Sequence, residues 1–146
     1  MKTLILGCGN PDRADDSAGL LVVRKLRELG VDASKHSGDM LSLMDEWSGF
    51  DEVIIIDAMV SGAPSGAIAV FDARAAEVPR ERFRCSSHEF GLAEVVELAR
   101  SLARLPPKLT IYGIEAGNCD AGGTVSAEVV EAVERVAGEI WRNLPY

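Results

Sequence analysis

The sequence predicts a three-layer α/β domain built on a mostly parallel sheet. Short apolar runs of strand length alternate with longer amphipathic stretches. The connections between them are short turns. Only about nine residues separate the third and fourth apolar runs, too few for a helical crossover, so one of those strands runs antiparallel to the rest.

Taken in order, Thr3–Gly7 is an apolar run closed by a Gly-rich turn, the pattern of a buried strand. Asp15–Leu29 reads as a helix, with Ala18, Val22, Leu26 and Leu29 on one face and Arg24, Lys25, Arg27 and Glu28 elsewhere. Gly30 then stands where a C-cap glycine belongs. Val31–His36 reads as a weak edge strand and Leu41–Trp47 as a short helix. Glu52–Asp57 is the strongest strand, apolar at four successive positions, and Ala67–Phe71 is the next. Glu89–Ala103 reads as a helix with Leu92, Val95, Val96, Ala99 and Leu102 inward, ended by Pro106 and Pro107. Lys108–Gly113 is the last strand. Ser126–Trp141 is a final helix with Val129, Val133, Val136 and Ile140 on one face, acids on the other, and Thr124 or Ser126 as cap. No repeat or linker interrupts this order, and 146 residues fit one domain over 1–146.

The net charge of −8 argues against nucleic acid, whose affinity rests on clustered Lys and Arg. The cysteines Cys8, Cys85 and Cys119 are odd in number and widely spaced, which predicts neither a disulfide framework nor a structural zinc site. The apolar start stops at Leu6, too short for a signal sequence, and no run approaches the roughly 20 residues of a membrane helix. These features predict a soluble cytoplasmic protein with no membrane partner.

Ligands of such sheets sit beyond the carboxyl ends of the strands. Asn10, Asp15 and Asp16 follow the first strand, Asp57 ends the strongest one, and Ser86-Ser87-His88-Glu89 opens a helix. Each has a plainer role: helix capping for Asp15 and Asp16, a polar strand end for Asp57, capping or surface placement for His88. Together two carboxylates and an imidazole suit a first-row divalent ion and leave positions open for water or substrate. A dinucleotide site fits poorly, because Gly7-Cys8-Gly9 lacks the third glycine and Asp12 stands in its place. No P-loop or G-x-S-x-G motif is present. Cys8 and Cys85 read as packing residues, and His36 as a surface residue. Trp47 and Trp141 read as packing the core margin, and Glu128, Glu131, Glu134 and Glu139 as a solvated face.

Leu6-Gly7-Cys8-Gly9-Asn10-Pro11, with Asp15-Asp16 and Gly19, resembles the opening motif of the nickel-iron hydrogenase maturation endopeptidases. Ile56-Asp57-Ala58 resembles the second motif of that family and Ser87-His88-Glu89-Phe90-Gly91-Leu92 its third. Lys108–Glu115 and Gly123-Thr124 resemble its C-terminal strand and cap. Asp16 stands where other members have Glu, and Val125 where a proline often follows.

The resemblance implies an α/β/α fold of phosphorylase/hydrolase-like type with a mixed five-stranded sheet. It implies removal of a C-terminal extension from the hydrogenase large-subunit precursor after nickel insertion. Asp16, Asp57 and His88 are then the catalytic and metal-contacting residues, and Asn10, Gly38 and Asp39 shape the substrate cleft. The metal expected is nickel presented by the substrate, with zinc or cadmium as substitutes in vitro, and the protein is expected to be a monomer. An ion held by these residues would polarise the carbonyl and activate water. An aspartic-type mechanism using Asp16 and Asp57 alone is the rival. Two other classes stay open: a metal-sensing chaperone that holds the precursor uncut, and a small nucleotide- or flavin-binding protein.

Overall fold

The computed structural model describes residues 2–36, 39–83, 91–119 and 122–144. Five strands form one sheet: β1 (Thr3–Cys8), β2 (Ser34–His36), β3 (Glu52–Met59), β4 (Ile68–Asp72) and β5 (Lys108–Glu115). Their spatial order is β2-β1-β3-β5-β4. The first three interfaces are parallel, and β4 pairs antiparallel with β5 from Ile68↔Ile114 to Asp72↔Thr110. The short gap before β4 therefore has the consequence expected of it.

Both faces of the sheet are covered, which is why the central strands are continuous apolar runs rather than alternating ones. Ile5, Ile54, Ile56 and Ile114 pack against α1 (Ala18–Glu28) and α4 (Ala127–Asn143). Leu6, Val53, Ile55, Leu109 and Ile111 face α2 (Leu43–Trp47) and α3 (Leu92–Ser101) on the other side. The architecture is α/β/α with a mixed five-stranded sheet. Among the described residues, no helix is long and apolar enough to cross a membrane.

The helices differ from expectation mainly at their ends. The stretch before α1 is a separate 3-10 turn, Ala14–Ser17, entered through Ala14 at φ 47°. Leu29 and Leu102 lie just beyond the ends of α1 and α3 and are exposed. The expected start of the third helix at Glu89 falls outside the described residues. In α4 the four expected core positions are all buried. Trp47 is buried, with its indole N–H donating to the Arg104 carbonyl at 2.9 Å, whereas Trp141 is 46% exposed. Trp141 therefore does not pack the core margin: it falls on the solvent-facing flank of α4.

Candidate active site

The carboxyl edge of the parallel strands gathers the loops after β1, β2, β3 and β5. Close backbone approach brings the first two acids to this edge. An added Cβ at Gly19 would lie 2.3 Å from the Ile56 carbonyl and 2.4 Å from that of Cys8, so the first turn of α1 seats directly on β1 and β3. Gly9, at φ +145°, leaves room for the Asp16 carbonyl, which a Cβ there would meet at 2.0 Å. These contacts bring the Asp16 loop to the carboxyl-terminal part of β3, where Asp57 stands inside the strand and not at its end, because pairing with β5 carries β3 on to Met59.

Asp16 is 2% exposed. Asp57 accepts a hydrogen bond from the Ala58 amide at 2.8 Å. Burial, then the neighbouring Asp16 charge, push the Asp57 carboxyl up to about 8, against the smaller opposing pull of the Ala58 amide. At neutral pH Asp57 thus keeps its proton. Cys8, at the end of β1, feels the same field: burial first, then Asp57, Glu46 and Asp16, raise its thiol well above the usual range. It is a free, buried, protonated packing thiol, as expected. Cys119, by contrast, is disulfide-bonded, which departs from the reading of widely spaced thiols.

Asn10 shapes the first loop from within, its Oδ1 accepting from the Asp12 amide at 2.9 Å. Asp39, in the loop after β2, is exposed and caps the 3-10 turn Met40–Ser42, its Oδ1 accepting from Leu41 N at 2.9 Å. Gly38 and His88 lie outside the described residues. Among the described residues no group of three or more His, Cys, Asp or Glu is arranged to hold a metal. Asp16 and Asp57 supply two oxygen donors, and a cation would relieve their repulsion, so the donor set present fits a divalent ion.

Three features were not read from the sequence. His36 is buried rather than at the surface, with Nδ1 2.6 Å from Glu46 Oε1 and Nε2 2.9 Å from the Asp39 carbonyl. Glu115, also buried, accepts from the amide and hydroxyl of Ser61. Asp15 is fully buried and caps no helix. Its carboxylate accepts instead from Ser126 N (2.7 Å), Ser126 Oγ (2.6 Å), Gly117 N (2.7 Å) and Asn118 N (2.8 Å). Burial opposes ionisation, but these bonds outweigh it and hold the Asp15 carboxyl below its usual value. Ser126 does occupy the N-cap position of α4, yet its hydroxyl serves Asp15 and not the helix.

A doubly covered α/β sheet with a buried acid beside a half-buried one toward its carboxyl edge is the architecture of an enzyme site. Residues 31–143, a stretch containing Asp57 and His88, match the family model for hydrogenase maturation protease. The chain is 29% identical to the hydrogenase 2 maturation protease of Escherichia coli over 148 aligned residues, covering 93% of this chain and 88% of the relative. It superposes on the [NiFe] hydrogenase maturation protease HybD from Thermococcus kodakarensis with a TM-score of 0.78 and 28% identity, covering 97% and 98% of the two chains. The E. coli hydrogenase maturating endopeptidase HybD shares the fold, at a TM-score of 0.78 and 23% identity over 96% of this chain and 90% of that one. The chain belongs to the hydrogenase maturation protease family and is an endopeptidase.

Proposed function

We propose that this chain cuts the C-terminal extension from the large-subunit precursor of a nickel-iron hydrogenase once nickel has been inserted. Asp16, Asp57 and His88 read the nickel carried by the precursor, while Asn10, Gly38 and Asp39 shape the cleft that receives the chain. The observation that carries this reading is the acid pair. Two neighbouring carboxyl groups, one buried and one half-buried, resist ionising together unless a cation arrives. A metal-bearing substrate lets both ionise, so its engagement expels the Asp57 proton. Carboxylates and imidazole suit a borderline first-row ion, which is consistent with nickel, and with zinc or cadmium replacing it in vitro.

The raised Asp57 value favours a second, aspartic-type reading. Peptide hydrolysis adds water to the carbonyl carbon, breaks the C–N bond and protonates the leaving amine. Ionised Asp16 then takes the proton of the attacking water, and protonated Asp57 donates to the substrate. Mass spectrometry of the precursor, loaded with nickel or free of it, separates the two readings when run with Asp16→Asn, Asp57→Asn and His88→Ala. Loss of cleavage in all three, and none of the nickel-free precursor, is expected. Full activity of His88→Ala with both Asp variants dead selects the acid pair alone. Full cleavage by all three ends the assignment.

A further inference from the structure

We propose that Asp15 is the positioning residue of the site, fixing Asp16 by tying the loop after β1 to the loop after β5. This rests on the reading of Asp16 as one of the reacting acids. An acid at the start of a helix ordinarily serves one or two amides of its own helix. Asp15 instead spends its two oxygens on four donors that lie 102 to 111 residues away. Its own amide donates to the Asn118 carbonyl at 2.8 Å, so main chain and side chain grip the same turn. Two further bonds flank the knot: Gly122 N to the Asp12 carbonyl at 2.7 Å, and Arg13 Nε to that of Cys119 at 3.4 Å. On the opposite side, the Asp16 carbonyl packs into the space that Gly9 leaves open, where a Cβ would meet it at 2.0 Å. The Asp16 backbone therefore lies between the Gly9 backbone and an anchor, and the anchor is the Asp15 carboxylate.

Asn at position 15 keeps the shape but turns an NH2 group toward donors, so at least one bond is lost and one contact becomes repulsive. The test is a time course of cleavage of the full-length nickel-loaded precursor by wild type, Asp15→Asn, Ser126→Ala, Ser126→Thr, Asp16→Asn and the Asp15→Asn/Asp16→Asn pair, with thermal unfolding of each. Asp15→Asn is expected to lower kcat about tenfold or more with KM changed less than about twofold, since small misplacement of a reacting group costs rate rather than binding. Ser126→Ala should shift kcat the same way by less, and Ser126→Thr, which restores the hydroxyl, should recover it. The double variant should be no slower than Asp16→Asn. Wild-type kcat in Asp15→Asn, or a rise in KM alone, overturns the proposal. A further drop on adding Asp15→Asn to Asp16→Asn also overturns it, because Asp15 would then act independently of Asp16. If Asp15→Asn does not fold, Ser126→Ala and Ser126→Thr decide: equal wild-type rates in both overturn the proposal. Wild-type cleavage by Asp16→Asn instead removes the reading on which the proposal stands.

Discussion

Gly19 lies so close to Ile56 that a single added carbon would overlap the Ile56 carbonyl oxygen. Ile56 precedes Asp57, and Gly19 follows Asp16 by three residues, so this contact sets the spacing of the two acids. Gly19→Ala is expected to push α1 off β3 and destabilise the fold by about 1–3 kcal/mol, the usual cost of overpacking. Urea unfolding measures the loss, and precursor cleavage should fall with it. Unchanged stability would mean that α1 yields without strain.

The acid pair should make stability fall as pH rises. The Asp57 carboxyl titrates at about 8 in the fold, against 3.8 for an unperturbed aspartate. Between those values the folded chain keeps a proton that the unfolded chain has released. Its contribution is whole below 3.8 and lost as pH rises through about 8. Asp57→Asn should therefore raise Tm, by an amount that grows from about pH 5 to about pH 8 and then levels. Thermal melts across that range check it, and a gain independent of pH contradicts it.

His36 links β2, the turn that opens at Asp39 and α2, with an oxygen acceptor at each ring nitrogen. Removing the ring leaves the Asp39 carbonyl and Glu46 without those bonds. His36→Ala should cost about 1–3 kcal/mol, and Glu46→Gln less. Denaturant midpoints measure both. Equal stability of His36→Ala and wild type would show the pair to be dispensable.

The two tryptophans should behave oppositely. Trp47→Ala removes a buried ring and orphans the Arg104 carbonyl, at about 3–5 kcal/mol. Trp141→Ala should change stability by about 0.5 kcal/mol or less. Urea titrations of the two variants compare them directly.

What was legible in the sequence followed physical periodicity. Val53–Ile56 announces a strand buried on both faces, and the valines and isoleucine of α4 announce its inner side. That one of β3 and β4 runs antiparallel was legible because chain length alone limits the crossover; that it is β4 was not. Asp16 and Asp57 were legible as candidates because acids that follow or close an apolar run are a local feature, although β3 runs two residues beyond Asp57. The role of Asp15 was not, because its partners lie across the whole chain and no spacing rule links them. An acid beside a helix start looks the same whether it caps that helix or bonds a distant turn. His36 was missed for a related reason: a polar residue ending a short strand carries no sign that Glu46 will cover it.

The knot around Asp15 also bears on timing. The first loop of the chain draws its anchor from Gly117, Asn118 and Ser126, which are made 102 to 111 residues later. A nascent chain that has made β1, α1 and β3 already carries both acids but cannot yet hold them in place. Contacts of such long sequence separation form late and slowly. An ordered acid pair therefore waits until the chain has been made through Ser126.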